Sequence, residues 1–223
     1  MSDSRTMKLV FVDTETTGLD RQADEVIELA ALRVDWPSWT TEAVFYQRFR
    51  PTRPVSPEAA AVNGYTEDAW RGNPDVDSPN ARRAIMHFVN FCGGARWVGS
   101  MPQFDYDFIE RARRTLSVRP WALASRRLID VGSLGAPLLF AGYGEKGGLD
   151  ELCAVLGVSL DVPPSSLVSL AAKGRVGAHT AMGDALRTRD VFRKLMSAFT
   201  ASPALAPLFP LFAKEAAREP IAP

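Results

Sequence analysis

The chain is 223 residues and 24.4 kDa, long enough for one well-buried core and short for two full domains. Hydrophobic residues make up 46% and charged residues 23%, which excludes a mainly disordered chain, and no apolar run approaches the roughly 18–20 residues of a membrane span. With 26 basic and 26 acidic residues, net charge neither announces nor excludes a nucleic-acid partner, since local patches and bound cations also set the field over a site.

Residues 8–13 (Lys8-Leu9-Val10-Phe11-Val12-Asp13) are an apolar run ending in an acid, which predicts a strand buried on both faces. Thr16-Thr17-Gly18-Leu19-Asp20 is turn chemistry. Residues 25–35 read as a second strand interrupted by Glu28 and Arg33. Residues 43–50 alternate as a half-buried third. Short links make these three an antiparallel meander. Pro51, Pro54 and Pro57 then take the chain out of the sheet. Ser56 is placed to cap a short helix closed by Asn63-Gly64, and Ser78 to start a helix stopped by Gly93-Gly94.

Trp97-Val98-Gly99 is a short fourth strand, followed by a helix over about 105–117. Arg127–Val131 is a fifth strand, and Gly148–Leu156 a short helix ended by Gly157. Residues 157–178, with Pro163-Pro164 and Lys173-Gly174-Arg175, read as a long loop that could act as a lid. An amphipathic helix spans about 180–199. The pattern predicts an α/β layer architecture around one mixed sheet, a single domain over 1–199 and a proline-rich tail over 200–223. Cys92 and Cys153 lie far apart with no CxxC pattern, and Met1-Ser2-Asp3-Ser4-Arg5 lacks an apolar signal segment, so a cytoplasmic, reducing setting is expected. Five lysines against 21 arginines suit bidentate phosphate contacts, or reflect genome base composition.

Three groups of residues bear chemistry. Asp13 and Glu15 leave the first strand two residues apart, which puts both carboxylates on one face. Such a pair repels unless a cation or proton lies between, although structural ion pairs also gather acids. In His179-Thr-Ala-Met-Gly-Asp184, His179 falls at the start of the last helix and Asp184 a turn further in. Ala181 and Gly183 leave room for close approach. The alternative is a capping histidine and a solvated aspartate. Asp105, after Phe104, falls at the start of a helix, where an aspartate also serves as a cap; Asp107 competes for any role. Four acids and a histidine suit two-metal phosphodiester hydrolysis, with Mg²⁺ or Mn²⁺ held by hard oxygens and the imidazole taking a proton near neutral pH.

These residues resemble a known family, the DEDDh (DnaQ-like) 3′–5′ exonucleases of the ribonuclease H-like fold. The resemblance covers about residues 8–196. It rests on Phe11-Val12-Asp13-Thr14-Glu15-Thr16-Thr17-Gly18-Leu19, Phe104-Asp105 and His179-x-Ala-x-x-Asp184, with echoes at Val26–Ala30, Val62-Asn63-Gly64 and Leu149–Cys153. The style is nearest to the proofreading subunit of bacterial replicative DNA polymerase, with oligoribonuclease and ribonuclease T as relatives.

The resemblance implies a three-layer fold whose five-stranded mixed sheet has strands 1–3 antiparallel and two short parallel strands after them, flanked by helices. It implies two divalent ions, Mg²⁺ or Mn²⁺. Asp13 would bridge both, Glu15 and Asp184 would complete the first site, Asp105 would hold the second through water, and His179 would be the general base. Thr16, Thr17, Gly18, Leu19, Gly64 and Phe104 would meet the 3′-terminal nucleotide. Ser100-Met101 and Asn63 stand where the family often has histidine-containing pairs, and bear on substrate preference and rate. The expected activity is release of nucleoside 5′-monophosphates from single-stranded DNA or RNA 3′ ends. A polymerase subunit or a second copy of the chain is the expected protein partner, with no membrane. The alternatives are a subunit that acts mainly through its polymerase and a non-catalytic nucleic-acid binder on the same fold.

Overall fold

The computed structural model describes residues 7–120, 128–142, 147–163 and 166–202. Strands β1 (Met7–Thr16), β2 (Val26–Trp36) and β3 (Thr40–Arg48) form an antiparallel meander. β4 (Arg96–Gly99) pairs parallel to β1, and β5 (Leu128–Asp130) parallel to β4. The sheet order is β3-β2-β1-β4-β5. β1 is thus central, with neighbours on both sides, and its apolar residues are needed on both faces. Val10 and Val12 enter a cluster with Phe88, Trp97 and Ile109. Leu9 and Phe11 enter another with Met182, Leu186 and Val191.

The helices α3 (Pro79–Cys92) and α4 (Pro102–Thr115) supply the first cluster; α6 (Leu149–Leu156) and α8 (Ala181–Ala201) contribute to the second. The result is a three-layer arrangement. Cys92 and Cys153 are buried free thiols in different clusters. Among the described residues no helix is long and apolar enough to cross a membrane.

The expected caps form. Ser56 Oγ accepts from the Ala59 N–H at the start of α1 (Pro57–Asn63), and Ser78 Oγ accepts from Ala81 at the start of α3. Three helices differ from expectation. α2 (Glu67–Trp70) and α7 (Leu167–Ala171) are too short for a helical period to be visible. α5 (Val131–Phe140) follows β5 directly and contains Pro137, Gly132 and Gly135, which read as loop residues. Gly135 has a packing reason: a Cβ there would lie 2.5 Å from Leu152 Cδ2. The segment 157–178 is therefore not one loop, since α7 lies within it against β3. The tail expected over 200–223 falls almost wholly outside the described residues, which end at 202.

Candidate active site

The site forms where β1 runs out of its apolar stretch. Asp13 and Glu15 share the face of β1 that carries Leu9 and Phe11, and α8 packs on that face. Asp184, in the first turn of α8, is brought to them. One ligand oxygen from each of Asp13, Glu15 and Asp184 lies within 4.8 Å of the others. Such a cluster of hard oxygens fits a divalent cation of the Mg²⁺ or Mn²⁺ type.

Asp105 reaches the site from the other layer. α4 begins at Pro102 with Met101 at the cap position, so Asp105 is a first-turn acid of the helix rather than its cap. It is 3% exposed, and Thr14 Oγ1 donates to its Oδ1 at 2.7 Å. Asp107 is instead a half-buried partner of the exposed Arg21 at 2.7 Å, and Gln103 also donates to it. Met101, just before α4, has φ 55°, the left-handed region, and its N–H donates to Asp130 Oδ1 at 3.1 Å. That bond fixes the turn from which Asp105 is projected.

Burial raises the pKa of all four carboxylates, and repulsion from neighbouring acids adds to it at Asp13 and Glu15. Loss of solvation, then Asp105, Glu15 and Asp184, push Asp13 well above the usual carboxylate range. Glu15 is pushed up to about 9 by desolvation, then by Glu28 and Asp184, with Arg175 opposing. Burial raises Asp105 to about 7 against the bonds from Thr14. Asp184 is raised by burial, while Arg187, at 2.9 Å from its Oδ1, pulls the other way. Acids so arranged favour protons or a cation.

His179 precedes the helix cap Thr180. Its φ is 57°, a strained value for a residue with a side chain, and its N–H donates to Asp184 Oδ1 at 3.3 Å. Its half-exposed imidazole places Nε2 3.9 Å from Asp150 Oδ2. Arg187 bonds both Asp150 and Asp184. His179, Asp184, Asp150 and Glu151 line a depression of about 330 Å³. A second groove of about 380 Å³ is lined by Glu15, Thr16, Gly18, Leu19, Asn63 and Phe104. Glu15 and Asp184 belong to the same carboxylate cluster, so each depression borders the cluster through one of its members. The groove has the volume of a small-ligand site.

The expected substrate residues divide. Thr16, Gly18, Leu19 and Phe104 line the groove, and Leu19 is 83% exposed at its edge. Thr17 does not: it is fully buried, and its hydroxyl donates to Asp24 and accepts from the Glu25 N–H. Gly64 does not line the groove either. It closes α1 in a left-handed conformation, with its N–H on Ala60 O. The lining residue there is Asn63, whose Nδ2 donates to Thr16 O at 3.1 Å. Thr14 and Asp150 gained no role from sequence, because each matters through a partner distant along the chain, Asp105 and Arg187 respectively. Glu28 left a signal of its own, an acid inside an apolar strand.

A family model described as "Exonuclease" (RNase_T) matches residues 10–192. The chain belongs to this exonuclease family. It is 29% identical over 197 residues to the DNA polymerase III subunit epsilon-like protein of Rhodobacter capsulatus, covering 87% of this chain and 25% of that protein. It is 25% identical over 187 residues to the PolC-type DNA polymerase III of Thermotoga maritima, covering 84% and 12%. The chain thus spans a quarter or less of the length of these curated relatives. The fold is shared with Exonuclease X in complex with 5′ overhanging duplex DNA (TM-score 0.56, 20% identity, 89% of this chain and 96% of that one). It is also shared with the nuclease domain of 3′hExo, a DEDDh family member, bound to rAMP (TM-score 0.61, 15% identity, 88% and 95%).

Proposed function

We propose that the chain is a metal-dependent 3′–5′ exonuclease that releases nucleoside 5′-monophosphates from single-stranded ends. The observation that carries this reading is the convergence of Asp13, Glu15 and Asp184 in a cluster that borders a groove and a histidine-bearing depression. These three would hold one Mg²⁺ or Mn²⁺ ion, and Asp13 with Asp105 a second. When bound, such ions stabilise charge on the phosphate and lower the pKa of the attacking water. The chain's own residues do the rest. Leu19 and Phe104 offer apolar surface to the terminal nucleotide, and the Asn63 bond fixes the Thr16 carbonyl beside it. His179 stands free to accept a proton from the nucleophile, with Asp150 near Nε2 to stabilise the imidazolium.

The substrate is a DNA or RNA 3′ end, consistent with the ligands named for the structural neighbours. A polymerase is the proposed partner, a reading supported by the polymerase III relatives, and the proposed setting is cytoplasmic. The catalytic unit spans 1–199 and the tail 200–223 lies beyond it. The test is a time course on 5′-labelled single-stranded DNA and RNA of one sequence, with Mg²⁺, Mn²⁺ or EDTA. A ladder shortening from the 3′ end is expected, dependent on metal and lost in Asp184→Asn. No cleavage of either strand by the metal-loaded wild-type chain overturns the proposal.

A further inference from the structure

Arg175 has no place in the catalytic set, yet it lies between its parts. It sits in the turn between α7 and α8, four residues before His179. Its Nε lies 3.1 Å from both carboxylate oxygens of Glu28, which is 0% exposed. Glu28 is the cross-strand neighbour of Glu15 and also accepts from the Tyr46 hydroxyl at 2.5 Å. Another guanidinium nitrogen of Arg175 donates to the Asn63 carbonyl. The guanidinium carbon stands 4.6 Å from the centre of the buried Trp70 ring, a cation–π distance. Trp70 is itself anchored, its Nε1 donating to Ile27 O at 2.9 Å.

One side chain therefore ties β2, the end of α1 and α2 to the turn that carries His179. The turn is stitched onward to α8. Thr180 Oγ1 donates to Gly177 O at 2.8 Å and accepts from the Gly183 N–H at 3.1 Å. At the other end Asn63 holds Thr16 O in the groove. A planar fork satisfies these directions at once; a lysine ammonium carries the charge without the fork or the stacking face.

We infer that Arg175 is a positioning residue for the reaction proposed above, fixing the His179 turn and the Asn63 wall of the groove relative to each other. A structural alternative has a different signature. If Arg175 served only to neutralise buried Glu28, removing both charges together would restore function. If it positions, the double change restores the fold and leaves the defect.

The experiment compares wild type, Arg175→Lys and the double variant Glu28→Gln with Arg175→Met. The double variant removes the Glu28 carboxylate together with its Arg175 partner, so it keeps the test open should Arg175→Met alone fail to fold. Melting, Mn²⁺ binding measured with the metal alone, kcat and KM are read for each. The expected result is near wild-type Mn²⁺ binding in both variants, kcat lower by about 10²-fold in the double variant, and a raised KM. Arg175→Lys should recover only part of kcat. Full activity in the double variant overturns the inference.

The inference rests on the proposed exonuclease reading, so amide hydrogen exchange over residues 173–184 is measured without substrate. Faster exchange there in the double variant is expected, and unchanged exchange overturns the positioning role whether or not the wild type cleaves nucleic acid. Absence of wild-type cleavage with faster exchange overturns the exonuclease reading alone.

Discussion

Four carboxylates at the end of one strand are held in a state they would not choose in water. Asp13, Glu15, Asp105 and Asp184 all have raised pKa values. A carboxylate with a folded pKa above its unfolded value of roughly 4 binds protons more tightly in the folded chain. The stability it contributes is full below the unfolded pKa and is lost as pH rises through the folded one. For Asp105 and Glu15, at about 7 and about 9, the loss extends through neutral and mildly basic pH. The carboxylates with lowered pKa, Glu110 and Asp150, are already ionised there and add no slope. Melting in EDTA is therefore expected to fall steadily from pH 6 to pH 9. Saturating Mn²⁺ should flatten that fall by replacing protons as the counter-charge. A flat EDTA profile would show the carboxylates to be solvated. By the same physics Asp13→Asn should abolish cleavage while raising the metal-free melting temperature at pH 8. His179 stands outside this carboxylate cluster. His179→Ala is expected to leave Mn²⁺ binding intact and slow the chemical step by roughly 10²–10⁴-fold; undiminished single-turnover rates would remove it as the base.

At the scale of elements, the N-terminus of α8 is the most constrained joint. Gly183 lies in its first turn, where an added Cβ would stand 1.9 Å from the Gly177 carbonyl oxygen and 2.7 Å from its carbon. Neither is the end of a flexible side chain, so the backbone must move. Gly183→Ala is expected to destabilise by about 1–3 kcal/mol, in the range of overpacked cores, and to lower activity through His179 and Asp184 together. A denaturant melt with unchanged midpoint would show the turn to be adjustable. Which elements were legible follows from length and pattern. β1, β2, α3 and α8 repeat their period long enough to read. The helix caps at Ser56 (α1), Ser78 and Gly93 (α3) and Gly157 (α6) are local chemistry. α5 was hidden because it carries Gly132, Gly135 and Pro137, and Gly135 answers to Leu152 rather than to its own helix. α7 is a single turn that survives by packing on β3.

The whole molecule is a sheet with a differently used layer on each face. One face, with α3 and α4, sends Asp105 around the end of β1. The other, with α8, brings Asp184 directly to Asp13 and Glu15. Neither layer holds the full set, so the site exists only when both are packed. The balanced net charge bears on how the molecule uses a long strand. Without a basic excess, modest non-specific affinity for the phosphate backbone is expected, and each turnover should end in release. Under excess of a long labelled strand, products of all intermediate lengths are expected early. Full-length strands vanishing directly to short products would show processive action and a hidden electrostatic track.

The sequence by itself determined the α/β class and a first strand buried on both faces, and it singled out Asp13, Glu15, Asp105, His179 and Asp184 as candidates, because each lies in a short stretch whose spacing is local. It also carried the family, through the same stretches. Only the tertiary structure decided that Asn63 rather than Gly64 lines the groove and that Thr17 is a buried support. It alone gave Arg175 partners 147 and 112 residues away, at Glu28 and Asn63. The reason is physical. A motif records what one segment does within hydrogen-bond reach of itself. The burial of a charge or the wall of a groove is settled by elements that meet only when the layers close on the sheet.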